Sequence, residues 1–352
     1  MDRKKLLKMT NRASRAIKPS VQSIMECVLL HIKDGVVKMR AVNHAMQVTV
    51  WEGIEDQDTS ILAAVNAANL KEILGRLPSD EVTLSKVGDN LSIKSGSITL
   101  SIPCRNEPFP KEMDMEKPKV KATISRGDVE ACSHAALSKT MVNDKMSSYC
   151  LEIINVNGNN PSYRITTVDG HRLASRGIKV PKVGFTEIVA PGELMAEAVK
   201  ISEEDTFEIS FDGETIKVEG TGYSLIGKAQ FNRFFNLDQI RDPGFDTYFE
   251  ADRTRLLEAL KVVTYFDKLA VLNISKDILK IRSRDATKGD SQAELEIISN
   301  GPAIELGVNG NFFVAALESV DAETLKIHYS AKEAPIYFKG ENFEEVMMPV
   351  RY

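Results

Sequence analysis

Residues 66–84 read NAANLKEILGRLPSDEVTL, and the rest of the chain is best understood as an answer to them. Asn66 opens the stretch, and Leu70, Ile73 and Leu74 then fall on one face of a helix. Asp80 follows in a turn, and Val82–Leu84 alternates as a half-buried strand does. The pattern returns without a gap at Pro191–Ile209 (PGELMAEAVKISEEDTFEI) and at Asn309–Ile327 (NGNFFVAALESVDAETLKI). Leu194, Ala198 and Val199, and later Phe313, Ala316 and Leu317, again fall at helical spacing. Asp205 and Glu323 stand where Asp80 does, and each copy runs on to a second alternating segment that ends at Gly96, Gly220 or Gly340. Three such units at near-equal spacing in 352 residues are an internal repeat.

Working outward, a second helical pattern precedes each copy, at Arg3–Ile17, Arg126–Met141 and Arg253–Tyr265. Between the paired helices lie alternating runs such as CVLLHI, VVKMRAV and MQVTVW, then SYCLEIINV and YRITTV, then LAVLNI and ILKIRS. The repeating unit is therefore helix, strands, helix, strands, an α+β arrangement used three times. Stretches rich in Pro and charge at 108–122 and 237–245 mark the boundaries, giving expected domains 1–117, 118–241 and 242–352.

With 45 Lys+Arg against 50 Asp+Glu the formal net charge is -5, and 43% hydrophobic residues exclude a disordered chain. Net acidity argues against nucleic acid only if the charge is evenly spread, and it is not. On the first helix Lys4, Lys8, Arg12 and Arg15 share one face, while Leu6, Met9, Ala13 and Ile17 share the other. With Arg3, Lys5 and Lys18, seven of the first 18 residues are cationic. The leading helices of the other thirds keep the bias more weakly, through Arg126, Lys139 and Lys145 and through Arg253, Arg255 and Lys261. The second helices are more acidic, as at Glu193, Glu197, Glu203 and Glu204. Cations recurring at equivalent positions suit contact with phosphates. With no base-reading motif beside them, that contact would be independent of sequence.

Signals for chemistry are few. The five histidines form no HExxH or other metal-ligand spacing, and P-loop, GxSxG and GxGxxG patterns are absent, so no metal, cofactor or catalysis is expected. Cys27, Cys104, Cys132 and Cys150 are far apart and read as buried free thiols of a cytoplasmic protein. No apolar run approaches the roughly 20 residues that span a bilayer, and the basic N-terminus has no signal-peptide core. Asp169-Gly170-His171-Arg172 is the one dense polar cluster. It reads either as a tight turn in which Gly170 supplies an unusual backbone angle or as the centre of a hydrolase using Asp169 and His171. A repeat scaffold that binds only proteins is a third reading.

Thr167–Ala174 reads TVDGHRLA and the chain ends VMMPVRY. Set in a threefold α+β repeat, these strings resemble the bacterial DNA polymerase III beta subunits, the sliding-clamp family, and the likeness extends over the whole chain. SRAIKPSVQSIMECVLL and SGSITLSIPCRNEPFP are similar to that family's first helix-to-strand passage and to the end of its first domain. The resemblance implies a head-to-tail homodimeric ring, helices inside and sheets outside, that encircles duplex DNA and tethers the polymerase catalytic subunit. It implies a clamp loader that opens the ring, and other partners that dock short motifs in a pocket between the second and third domains. Carried over, the pocket comprises Val168, Gly170, His171, Arg172 and Leu173, with Val346, Met348, Pro349, Val350 and Arg351 from the tail. The DNA-facing set is Lys4, Lys8, Arg12, Arg15, Lys18, Lys139, Arg253 and Arg255. Three departures stand out. Val168 replaces the family's Thr, Pro19 stands where the family has Arg, and Phe231–Leu237 lacks the family's Phe-Pro run, which leaves Asn232 and Leu237 as candidates for the other pocket wall.

Overall fold

The computed structural model describes residues 1–136, 144–154, 162–178, 187–229, 233–237, 240 and 246–352. The first third contains α1 (Arg3–Ala13), β1 (Cys27–Lys33), β2 (Val36–Val42), β3 (Met46–Gly53), β4 (Ile61–Asn66), α2 (Ala67–Arg76), β5 (Thr83–Val87), β6 (Asn90–Ser95) and β7 (Ile98–Arg105). The middle third contains β8 (Val120–Ser125), α3 (Arg126–Cys132), β9 (Ser148–Ile154), β10 (Ser162–Val168), β11 (Arg172–Ile178), β12 (Glu187–Pro191), α4 (Gly192–Ile201), β13 (Thr206–Phe211), β14 (Thr215–Gly220) and β15 (Tyr223–Lys228). The last third contains β16 (Tyr248–Asp252), α5 (Arg253–Val263), β17 (Leu269–Ile274), β18 (Ile278–Asp285), β19 (Gly289–Glu296), β20 (Ile298–Ser299), β21 (Ile304–Asn309), α6 (Gly310–Glu318), β22 (Thr324–His328), β23 (Ile336–Lys339) and β24 (Phe343–Met347).

The repeat is visible in how the helices begin. Asp2, Ser125 and Asp252 each cap a leading helix by accepting the backbone N–H three residues on, from Lys5 (2.8 Å), Asp128 (3.3 Å) and Arg255 (2.8 Å). Asn66 and Asn309 cap α2 and α6 in the same way. Arginine repeats too. Arg3 donates to the carbonyls of Leu74 (2.8 Å) and Ser79 (3.0 Å), and Arg253 to those of Leu317 (3.1 Å) and Ala322 (2.8 Å). Each guanidinium thereby satisfies one carbonyl that the end of α2 or α6 leaves without an intrahelical partner, Leu74 or Leu317, and one in the turn that follows, Ser79 or Ala322.

The leading helices are shorter than their apolar spacing predicts. Helix α1 stops at Ala13, where the Ser14 hydroxyl takes the Thr10 carbonyl (2.6 Å), and continues only as a 3₁₀ turn over Ser14–Ala16. Helix α3 passes at Cys132 into a similar turn over Ser133–Ala135, and the expected remainder to Met141 lies outside the described residues. Helix α5 ends at Val263, where the Thr264 hydroxyl bonds the Leu260 carbonyl (2.7 Å).

Three sheets collect the strands, in the orders β5-β6-β7-β4-β1-β2-β3-β15-β14-β13-β8, β12-β9-β10-β11-β24-β23-β22-β16-β20 and β19-β18-β17-β21. The chain divides into two compact units, one of Met1–Thr123 with Glu193–Ala229 and one of Ile124–Gly192 with Gln230–Tyr352. The middle third is thus shared: β13–β15 extend the sheet of the first third, and β9–β11 join that of the last. Each unit contains one seam between thirds. In the first, β3 pairs antiparallel with β15 and Val48 lies opposite Leu225. In the second, β11 pairs antiparallel with β24 and Leu173 lies opposite Val346.

Helices pack on these sheets through the faces the spacing predicts. Leu6, Met9 and Ala13 of α1 and Leu70 and Leu74 of α2 are buried. In the last third Leu256, Leu260 and Val263 of α5 join Phe313, Ala316 and Leu317 of α6 in one core with Leu272, Ile281, Ile327 and Phe338. Cys27, Cys132 and Cys150 are buried free thiols as expected, and Cys104 is half-buried. Burial pushes the Cys132 thiol up to about 12.

Candidate functional site

Strands β10 and β11 form a hairpin in which Val168 faces Leu173 across the ladder, with Asp169–Arg172 as its turn. The Asp169 side chain is buried. Its Oδ1 accepts the backbone N–H groups of His171 (3.0 Å) and Arg172 (3.1 Å), and its Oδ2 accepts Arg172 Nε (2.9 Å). Gly170 sits at φ +84°, where a Cβ would be strained. Asp169 therefore bonds the backbone of His171 and not its ring. The carboxylate is spent on holding the turn, which is the turn reading and not the hydrolase arrangement.

This turn carries the tail of the chain. The Met348 N–H donates to the His171 carbonyl (2.8 Å), the Val350 N–H to the Gly307 carbonyl (2.8 Å) and the Tyr352 hydroxyl to Glu305 Oε1 (2.6 Å). Gly307 has to be glycine, because a Cβ there would lie 2.3 Å from the Val350 carbonyl oxygen. On the other side the Arg172 guanidinium lies 4.0 Å over the Phe312 ring.

Beneath the turn and tail, Val168, Leu173, Val346 and Leu237 meet in a buried apolar cluster with Cys150, Val189, Phe234 and Tyr337. The backbone N–H of Phe234 donates to Glu187 Oε1 (2.9 Å), which fixes the segment that brings Leu237 in. Met348 and Val350 keep 39% and 40% of their surface exposed, and Gly170, His171 and Arg351 are also exposed, so the cluster has an accessible apolar and polar margin. Of the predicted wall, Leu237 is placed in the cluster and Asn232 lies outside the described residues. Sequence reading missed Cys150, Val189, Phe234 and Tyr337. Strand register brings three of them in, and only Phe234 lay within the altered run already singled out.

The basic face of α1 is real but occupied. Lys4, Lys8 and Lys18 are exposed and Arg12 and Arg15 half-buried. Lys4 pairs with Asp80 (3.1 Å), Lys8 with Glu203 (2.7 Å), Arg15 with Glu197 (3.3 Å) and Lys18 with Glu193 (2.7 Å). Arg12 donates to the Ile201 carbonyl at the end of α4 (2.8 and 3.2 Å) and lies 4.9 Å over the Tyr223 ring. Arg253 is likewise turned to helix-end carbonyls, Arg255 is exposed, and Lys139 lies outside the described residues. Among the described residues no group of three or more His, Cys, Asp or Glu is placed to hold a metal ion, and no helix is long and apolar enough to cross a membrane.

Residues 1–112 match the family model of the DNA polymerase III beta subunit, N-terminal domain. The beta sliding clamp of Pseudomonas aeruginosa is 21% identical, over 93% of this chain and 92% of its own length. Among solved structures, a sliding clamp from Bartonella birtlesii bound to griselimycin superposes with a TM-score of 0.91 at 19% identity, covering 100% of this chain and 98% of that one. The Helicobacter pylori beta clamp bound to a DNA ligase peptide gives a TM-score of 0.88 at 16% identity, covering 100% and 99%. The chain is similar to the beta sliding clamps. It has their three-repeat α+β fold along its whole length.

The two seams are equivalent in register, and corresponding positions on one face differ in polarity. Val42 faces Gln47 across the β2–β3 hairpin as Val168 faces Leu173 across β10–β11. Ile226 lies opposite Gln47 as Val346 lies opposite Leu173, and Lys217 opposite Ile226 as Tyr337 opposite Val346. The first seam thus has Gln47 and Lys217 where the second has Leu173 and Tyr337. Gln47 exchanges two hydrogen bonds with the backbone of Met113 (2.9 and 3.0 Å), and Arg40 donates to the Pro110 carbonyl (2.9 Å). Those bonds strap the following segment over the first seam. Clamp-like strings appear at the second seam, where Phe234 and Leu237 of the following segment pack against the apolar surface.

Proposed function

We propose that the chain is a DNA sliding clamp in which two copies close head to tail into a ring around duplex DNA. The ring tethers the catalytic subunit of DNA polymerase III and makes synthesis processive, with no catalysis of its own. The observation that carries this reading is an unfilled seam. The third strand of one third meets the last strand of the next in β3–β15 and in β11–β24. The same rule asks β19 to meet β7, and within one chain it does not. Among the described residues strand β19 is bonded only to β18, and Ile98–Pro103 of β7 only to β6. A second copy supplies both missing partners, and a heterologous contact that closes makes a ring.

The helices support the same join. Since Arg3 and Arg253 begin equivalent helices, Lys8, Arg12 and Arg15 of α1 correspond to Glu258, Val262 and Tyr265. Val262 and Tyr265 are 70% and 81% exposed, an apolar surface that a neighbouring copy would cover.

In this reading the domains are 1–117, 118–241 and 242–352. Lys4, Lys8, Arg12, Arg15 and Lys18, with Lys139, Arg253 and Arg255, face the duplex, and Arg12 and Arg253 also brace helix ends. Partner motifs of the polymerase, the clamp loader and other clamp-binding proteins dock on Val168, Leu173, Leu237 and Val346, with Gly170, His171, Arg172, Asn232, Met348, Pro349, Val350 and Arg351 at the margin. The peptide-bound relative supports such docking. The protein works in the cytoplasm. The deciding experiment loads it with a clamp loader and ATP onto nicked circular DNA and onto the same DNA linearised. Retention on circles with loss from linear ends is expected. Equal retention, or none on either, would overturn the ring.

A further inference from the structure

Four cations around α1 are each matched to a carboxylate, and three of those carboxylates come from α4 and the turn after it. The Lys8–Glu203 pair joins side chains 54% and 62% exposed, and the Lys18–Glu193 pair side chains 59% and 33% exposed. Arg15 and Glu197 approach to 3.3 Å, and Glu197 also takes Lys200 at 2.8 Å. The Lys8 and Lys18 pairs are open enough to add little to the fold, whereas the Arg15–Glu197 pair is 33% and 16% exposed, so stability alone does not account for the row. Their placement does more. They cancel positive charge on the very face that the clamp reading turns towards DNA, and they lie near enough to the surface for another anion to replace them.

We propose that Glu193, Glu197 and Glu203 are internal competitors for DNA phosphates and set how tightly the ring holds the duplex it encloses. The inference rests on the reading of α1 as a DNA-facing helix. A phosphate that reaches Lys8, Arg15 or Lys18 displaces a carboxylate, so each contact is an exchange of partners and not the capture of a bare cation. When the duplex moves on, the carboxylate takes the cation back. The cation remains paired on either side of the step, which flattens the energy profile along the DNA. A ring that holds by topology needs that flatness more than it needs affinity. Arg12 is outside the exchange, because its guanidinium rests on the Ile201 carbonyl.

The test compares the wild-type chain with the triple variant E193Q/E197Q/E203Q and with E203Q alone. The single change is at the most exposed of the three pairs with α4 and the turn after it and leaves folding undisturbed. E208Q is the control, since it removes the partner of Lys121 (2.7 Å), far from α1 in sequence and on a sheet strand. Binding to linear random-sequence duplex, where enclosure adds nothing, is measured across a salt series. The triple variant is expected to bind about tenfold more tightly at low salt, with a salt slope steeper by up to about 2.7, three phosphate contacts at roughly 0.9 each. E203Q should give about a third of that steepening, and E208Q none. On loaded circles the triple variant should diffuse more slowly than wild type. If wild type is retained on circles but the triple variant binds linear duplex no more tightly, or if E208Q has the same effect, the competitor role is overturned and the clamp reading stands. Loss of wild-type retention on circles would overturn the clamp reading itself, and this inference with it.

Discussion

Tyr352 shows how a single residue can tether a tail. Its hydroxyl donates to Glu305, and partial burial followed by that hydrogen bond raises its pKa from 10.0 to about 12. The same bond, first among the causes, holds the Glu305 carboxyl below its usual 4.5. For a raised group the contribution is complete below the unfolded value and is lost as pH climbs through the folded one. For a depressed acid it is present above the unfolded value and lost as pH falls. The tail tether is therefore intact between about 4.5 and 10 and released on either side. Peptide affinity should fall as pH rises from 10 towards 12 in the wild-type chain. In Tyr352→Phe it should start lower and stay flat over that interval, as read by fluorescence anisotropy of a labelled clamp-motif peptide. The tail was legible as a string in the sequence, and so was the Asp169 turn. The tether was not, because Glu305 and Gly307 reach the tail only through the placement of β21.

At the scale of elements, arginines that look alike in sequence divide by what they touch. Arg253→Ala strands the Leu317 carbonyl at the end of α6 and the Ala322 carbonyl in the turn after it and is expected to cost about 1–3 kcal/mol in urea unfolding. Arg255→Ala, two residues on and exposed, should change stability by less than about 0.5 kcal/mol while weakening DNA binding. Equal losses of stability in the two variants would refute the division. Helix faces and their order could be read from apolar spacing, since Leu70, Leu194 and Phe313 obey it at all three positions. Helix ends could not, because Ser14 and Thr264 stop their helices by bonding carbonyls four residues back. Nor could the neutralisation of α1, three of whose four partners lie far along the chain in α4 and the turn after it.

The whole molecule depends on which strand edges are left over. Three thirds were countable in the sequence, but not that the middle one would lend its strands to both neighbours, since pairing between thirds leaves no local pattern. Ile98→Glu with Leu100→Glu, on the open stretch of β7, should convert a particle of twice 39.0 kDa into one of 39.0 kDa by light scattering without unfolding it. An unchanged mass would remove β7 from the join. The two open edges are also unlike in character. Strand β7 offers Ile98 and Leu100, whereas β19 carries Asp290, Glu294 and Glu296. Neither edge is a match for itself, so the contact has a direction, and every copy that joins must point the same way round. Closed rings of this kind have a front and a back. In the proposed ring both tail-and-turn surfaces lie on the same side, and whatever docks there would take a heading along the double helix as well as a hold on it.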